Sequence, residues 1–295
     1  MSERHVARRD GTVWTRMVGD GSKNLPLVCV PGGPGCAHDY LANLASLAGH
    51  GQPVVFYDPF GSGRSPAPVH ATRGVASLCD DIEAVRVGLG VERMHLFAQS
   101  AGAFAAIEYA LAHPQHVATL VLSSPIVDVP QHQHHVRRLI DGFGATAAAA
   151  FVRAEHDVSL RDAAYLTLYY AFIARHVCRF GDAHELSMLA GRGFDVTAHQ
   201  AMKGGFLLYL RPPLDRWTVA ARLPAIRVPV LVTCGAHDLN PTGFYEDVAR
   251  RFPRGELFVF EHSSHTQHFE QPGPFIDVVA AFLARFDHEF REAVR

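Results

Sequence analysis

Apolar positions along the chain fall into two kinds of run, and the two alternate. Residues 25–30, 53–57, 94–98, 117–123, 228–234 and 256–260 are short and almost continuously apolar. Such runs read as strands buried on both faces. Between them lie residues 40–48, 72–89, 102–112, 241–251 and 275–290, where apolar residues recur at helical spacing. Leu41, Leu44, Leu47 and Ala48 share a face of the first, and Leu78, Ile82, Val85 and Leu89 turn inward in the second, with Thr72 as its expected cap. Residues 4–18 alternate more weakly around Asp10-Gly11, a turn signal, so an antiparallel hairpin of residues 6–9 and 12–18 is expected, closed by Asp20-Gly21-Ser22. Strand–helix alternation with buried strands predicts an α/β protein, a mostly parallel sheet with helices on both faces.

The rhythm breaks from about residue 125 to residue 223. Helical patterns persist at residues 132–143, 145–156, 160–180 and 184–190, but no strand pattern is present. A helical insertion is therefore expected, dividing the chain into a first core part, residues 1–124, an insertion, 125–222, and a second core part, 223–295. Tyr165, Tyr169, Tyr170, Phe172 and Phe206 give the insertion aromatic residues for packing and for lining a pocket.

With 295 residues, 48% of them hydrophobic, the chain can build one large core with an insertion. A net charge of −2 argues against a nucleic-acid partner, and 19 histidines would make the chain strongly positive at acid pH. Five cysteines are scattered without a C-x-x-C pair, and Cys29 and Cys234 sit in strand-like runs as small hydrophobes. This usage suits a reducing compartment. The charged N-terminal residues precede no apolar segment, and no run approaches the roughly 20 residues of a spanning helix. The expectation is a cytoplasmic protein with no membrane partner.

The candidate chemistry centres on Phe97-Ala98-Gln99-Ser100-Ala101-Gly102-Ala103. A serine between small residues, where a strand turns into a helix, is the setting of a nucleophile elbow. The tight turn needs small residues two before and two after, here Ala98 and Gly102. It lifts the hydroxyl above the strand end, with the helix N-terminus behind it. A serine hydroxyl is a weak nucleophile and needs a base, which in turn needs an orienting acid. Asp238, just past the 228–234 strand, is the expected acid, and Asp128, past the 117–123 strand, is its competitor. His262, His265 and His268 compete as the base. His265 is expected, since it follows Ser263-Ser264 and precedes Glu270-Gln271-Pro272. His262 and His268 read as loop histidines. The loop Pro31-Gly32-Gly33-Pro34-Gly35 can bring backbone N–H groups close to a substrate, so Gly33 and Ala101 are the expected donors to a negative oxygen. Gly32, Pro34, Gln99 and Phe206 are expected in the substrate pocket. His132, His134 and His135 suggest either a metal site or, more simply, a solvated helix face. Arg64 and Arg211 are of a type that binds a carboxylate, though surface ion pairs are their commoner use.

In this order the glycine loop, Asp58-Pro-Phe-Gly-Ser-Gly-Arg-Ser65, the elbow, Gly235-Ala-His-Asp238 and Ser264-His265 resemble the α/β-hydrolase superfamily, and within it the proline iminopeptidase and amino-acid amidase family. The resemblance implies the α/β-hydrolase fold, a helical cap over the site, and a Ser100–Asp238–His265 triad working through an acyl-enzyme without metal or organic cofactor. The implied substrate is a small molecule or short peptide, such as an N-terminal prolyl or aminoacyl bond or an amino-acid amide. Pro31 replaces the family's histidine, Ala101 its tryptophan, and Pro59-Phe60 its polar residues after the aspartate. The segment Met202-Lys-Gly-Gly-Phe206 lacks the glutamate that in iminopeptidases binds the substrate amine, leaving Glu155, Glu185 or Asp195 as other sources of a carboxylate. Ester, lactone or thioester hydrolysis is the alternative activity, and a non-catalytic ligand receptor is the alternative of another class.

Overall fold

The computed structural model describes residues 2–20, 24–68, 70–179, 183–203, 210, 212 and 214–293. Its centre is an eight-stranded sheet in the order β1-β2-β4-β3-β5-β6-β7-β8. The strands are β1 (Ser2–Arg8), β2 (Gly11–Val18), β3 (Leu27–Val30), β4 (Val54–Tyr57), β5 (Met94–Gln99), β6 (Val117–Ser123), β7 (Val230–Gly235) and β8 (Gly255–Phe260). The hairpin β1–β2 joins β4 antiparallel. All pairs from β4 through β8 are parallel. The alternation of strand side chains divides the core. Val28, Val30, Val55, Leu96 and Ala98 face helices α1 (Val75–Leu89), α2 (Gly102–Ala112) and α8 (Thr242–Arg251). Leu27, Cys29, Phe56 and Phe97 face the opposite layer, a 3₁₀ helix at Asp39–His50 and α10 (Pro272–Ala293). Both faces of the inner strands are thus covered, the physical reason those runs are continuously apolar.

Two local expectations are corrected, and a third falls partly outside the described residues. Residues 40–48 belong to a 3₁₀ helix, and the inward residues Leu41, Leu44 and Leu47 recur every three positions, the 3₁₀ period. Thr72 does not cap α1, whose N-cap is Gly74; the preceding Arg73 is drawn to Asp195 by a 2.8 Å ion pair. Asp20 closes the hairpin strand, while Gly21 and Ser22 lie outside the described residues.

Between β6 and β7 run α3 (Val129–Asp141), α4 (Ala145–His156), α5 (Ala163–His176), α6 (Ala183–Gly191) and α7 (Val196–Lys203). Phe151, Tyr165 and Phe172 form a small core of their own here with Val136, Ile140 and Leu239. Helix α7 carries only a short polar-rich pattern and is not legible from periodicity. A lone bridge pairs Asp128 with Thr218. The described cysteines are all free thiols. No helix among the described residues is long and apolar enough to cross a membrane.

Candidate active site

Ser100 sits one residue past β5 and two before α2, with φ +55°. A left-handed backbone at a non-glycine residue is strained and holds only where neighbours enforce it. Here the Ser100 N–H donates to the Ser123 carbonyl (2.9 Å), and the Ser100 carbonyl accepts from Ala103 N–H (3.1 Å). The small residues matter sterically. A Cβ on Gly102 would stand 2.7 Å from the carbonyl oxygens of both Val30 and Pro31. So close an approach of α2 to the end of β3 is open only to glycine.

The Ser100 hydroxyl lies 2.8 Å from His265 Nε2, and His265 Nδ1 lies 2.8 Å from Asp238 Oδ1. A carboxylate only accepts, so Nδ1 carries the proton and Nε2 is left to accept from the serine. Asp238 is buried and holds two further donors, Ser124 Oγ at 2.6 Å and its own following N–H, of Leu239, at 2.6 Å. The structure brings Ser100, His265 and Asp238 together. It leaves Asp128 outside, where that side chain caps α3 through the Gln131 N–H (2.9 Å) and accepts from Thr218 Oγ1 (2.9 Å). Of the two aspartates, it is Asp238 that meets His265.

Three further residues, Ser124, Tyr40 and Glu270, fix this arrangement. Ser124, also at positive φ (+50°), receives Gln267 Nε2 at 2.7 Å while donating to Asp238. Tyr40 Oη accepts the Gly32 N–H (2.6 Å) and donates to Gln99 Oε1 (3.1 Å), so Gly32 is committed to holding the loop. The N–H groups of Gly33 and Ala101 donate to no acceptor among the described residues. Glu270 braces the loop of His265. Its carboxylate accepts from Ser264 N–H (2.8 Å) and Oγ, and from the Arg179 N–H (2.7 Å) beyond α5. Thr266 Oγ1 adds a bond to the Val177 carbonyl at 2.7 Å. The signal for Glu270 was in the sequence as the spacing before Pro272; Ser124 and Tyr40 carried none.

A cavity of about 260 Å³ opens beside Ser100. Gly33, Gln99, Ala101 and His265 line it, as do Tyr169 and Lys203. Gly32 and Pro34 are not in its wall, and Phe206 and Arg211 lie outside the described residues. His132 is no part of a solvated face. It is buried, lines the cavity and donates from Nδ1 to Asn240 Oδ1 (3.1 Å), and burial pushes its pKa down to about 3. His268 is likewise not a loop histidine. It lies on the short helix α9 (Gln267–Glu270), fully buried, with Nε2 on the Tyr40 carbonyl (3.2 Å), and burial holds its pKa near 4. His262 is exposed. Arg64 stacks over the Trp14 ring at 4.4 Å, away from the cavity. Metal-type ligand atoms gather within 4.8 Å of one another only at His38, Asp39 and Asp58 among the described residues. Asp58 there already accepts from His38 Nδ1 (2.6 Å), His38 N–H (3.1 Å) and Arg64 N–H (2.9 Å), which pins the loop that follows β4.

The pattern of the α/β hydrolase fold family matches residues 26–272. The chain belongs to the α/β-hydrolase family. Within it, this hydrolase is of the proline iminopeptidase type. It is 30% identical over 281 residues to the proline iminopeptidase of Lactiplantibacillus plantarum, covering 92% of this chain and 94% of that one. It is 29% identical over 266 residues to that of Saccharolobus solfataricus, covering 88% and 85%. Among solved structures, the Mycobacterium smegmatis proline iminopeptidase superposes with a TM-score of 0.87 at 29% identity, covering 98% of this chain and 99% of that one. VinJ superposes at 0.89 and 27% identity, covering 97% and 99%. These relatives make the α/β-hydrolase an enzyme rather than a ligand receptor.

Proposed function

We propose that the protein is a serine hydrolase that cleaves a small amide through an acyl-enzyme, with residues 125–222 as a cap over the site. The observation that carries this reading is the unbroken relay Ser100–His265–Asp238, each link 2.8 Å. Ser100 attacks the substrate carbonyl while His265 Nε2 takes its proton. Asp238 keeps the imidazole in the Nδ1–H tautomer and offsets the positive charge that develops. The negative oxygen is met by the Gly33 and Ala101 N–H groups. His265 then protonates the departing amine, and the same relay activates water against the ester left on Ser100. The residues needed for these steps are all on the chain.

The names of the relatives make an N-terminal prolyl or aminoacyl bond the first substrate to test. Ester hydrolysis is the second reading, favoured by the absence of a carboxylate from the described cavity wall. The test is labelling by a fluorophosphonate, followed by a panel of prolyl and alanyl arylamides, their N-blocked forms and the matching esters. Labelling at Ser100 with faster turnover of amides than blocked or ester analogues is expected. A native protein left unlabelled at Ser100 would overturn the mechanism, and equal rates on blocked and free amines would overturn the aminopeptidase activity.

A further inference from the structure

Behind Asp238 the chain buries a second run of hydrogen bonds, and its direction is fixed. Gln267 on α9 has no exposed surface, and one end of its amide faces the Ser264 carbonyl. A carbonyl only accepts, so that end is the NH2 group and the other end is the oxygen. The oxygen accepts from Ser123 Oγ at the end of β6 (2.8 Å) and from Thr233 Oγ1 on β7 (3.4 Å). The remaining amide hydrogen goes to Ser124 Oγ (2.7 Å). Ser124 thus accepts on its oxygen and has one hydrogen to give. Two acceptors are in reach, Asp238 Oδ2 at 2.6 Å and the His265 carbonyl at 3.2 Å, and the carbonyl already accepts from Gln99 Nε2. The shorter bond, to a charged oxygen, is the stronger, so the hydrogen lies on Asp238.

A hydroxyl that itself accepts a hydrogen bond donates more strongly, because the bonds along the chain polarise one another. Negative charge drawn toward Ser124 is less available to the imidazole on the other side of Asp238. That matters because the attraction between carboxylate and ring acts twice. It offsets the imidazolium of the transition state, and it also favours a proton on the resting ring, which is then no base.

We infer that Ser124 and Gln267 are positioning residues that temper Asp238 and so extend the enzyme's activity toward acid pH. The inference rests on Ser100, His265 and Asp238 being the relay of the proposed serine hydrolase. Other titratable groups surround the pair. Cys36 of the glycine loop, Tyr169 on α5 and Lys203 on α7 share the cavity with His265, and burial leaves them titrating at about pH 8 or above. Cys234 on β7 and Tyr245 on α8, whose hydroxyl interacts with Asp238, are pushed up by burial and by the Asp238 charge. His132 and His268 are kept neutral by burial. His199 lines the cavity, and His135, Arg138, His176 and His237 line another beside the Asp238 loop. All of these are common to wild type and to variants at Ser124 and Gln267, so a difference between their pH profiles belongs to the buried run.

The test is the rate of Ser100 phosphonylation by a fluorophosphonate, followed from about pH 5 to about pH 9. Ser124→Ala should move the acid limb of that profile to higher pH by about 0.5–1 pH unit, and Ser124→Cys, a weaker donor, should fall between. Gln267→Met keeps the hydroxyl but removes its polarisation, so a smaller move in the same direction is expected. In the Ser124→Ala background Gln267→Met should move the limb no further, because it acts through the serine. A loop merely displaced would lower the plateau rate and leave the limb in place. That result in Ser124→Ala, a limb moved to lower pH, or a Gln267→Met effect that persists without the hydroxyl would each overturn the inference. Should Ser124→Ala not fold, an unmoved limb in both Ser124→Cys and Gln267→Met would overturn it. Failure of the wild-type protein to label at Ser100 would instead overturn the relay itself.

Discussion

Replacing Asp238 by asparagine separates geometry from charge at the relay. Oδ1 of Asp238 accepts from both His265 Nδ1 (2.8 Å) and Leu239 N–H (2.6 Å), whereas Oδ2 accepts from Ser124 Oγ (2.6 Å). An asparagine will keep its carbonyl oxygen at the first position and turn its amide to Ser124. The serine hydroxyl can swing to the His265 carbonyl, 3.2 Å away. The imidazole tautomer then survives, and what is lost is the negative charge beside the imidazolium of the transition state. At 2.8 Å that charge is worth about 6 kcal/mol with an effective dielectric near 20. The amide dipole restores part of it, leaving a loss of about 4 kcal/mol, or roughly a thousandfold in rate. The assay is the second-order rate of Ser100 phosphonylation by a fluorophosphonate, which needs no knowledge of the substrate. Asp128→Asn is the control, because asparagine caps a helix as well as aspartate does. A rate for Asp238→Asn within about tenfold of wild type, or a hundredfold loss in Asp128→Asn, would refute the argument.

Gly102→Ala forces a methyl to 2.7 Å from two backbone oxygens, so it should cost about 2–3 kcal/mol and lower the thermal midpoint by several degrees, checked by calorimetry. Tyr40→Phe strands the Gly32 N–H, which Tyr40 accepts at 2.6 Å; a loss of about 1–3 kcal/mol in denaturant unfolding and slower phosphonylation are expected. His132 and His268, with folded pKa values pushed down to about 3 and about 4, stay neutral in the fold but take protons when unfolded. Their stabilisation is complete above about pH 6.5 and falls as pH drops toward 4, by about 1.4 kcal/mol per pH unit for each histidine. Urea unfolding at a series of pH values should show that slope, and His268→Gln should remove one histidine's share of it.

The order of sheet elements was legible because strands covered on both faces leave no polar positions; residues 102–112 and 117–123 coincide with α2 and β6. Ser100, Asp238 and His265 were legible because each follows a strand that points at one edge of the sheet. What stayed hidden was set by tertiary packing. His132 and His268 look like surface histidines in a polar run, and only the neighbours of α3 and α9 bury them. Helix α7 is too short for its period to show, yet it carries Lys203. Tyr40 lies 59 residues from the Gln99 it bonds, a distance no local motif spans.

The brace made by Glu270 has a mechanical consequence. Its bond to Arg179 N–H, with that of Thr266 to the Val177 carbonyl, rivets the trailing end of α5 to the loop carrying His265. A hinge at that end would pull the imidazole away from Ser100 as it opened. Motions that admit substrate must therefore pivot elsewhere. Transplanting these helices from another hydrolase would have to carry the rivet across, or leave the imidazole without its anchorage.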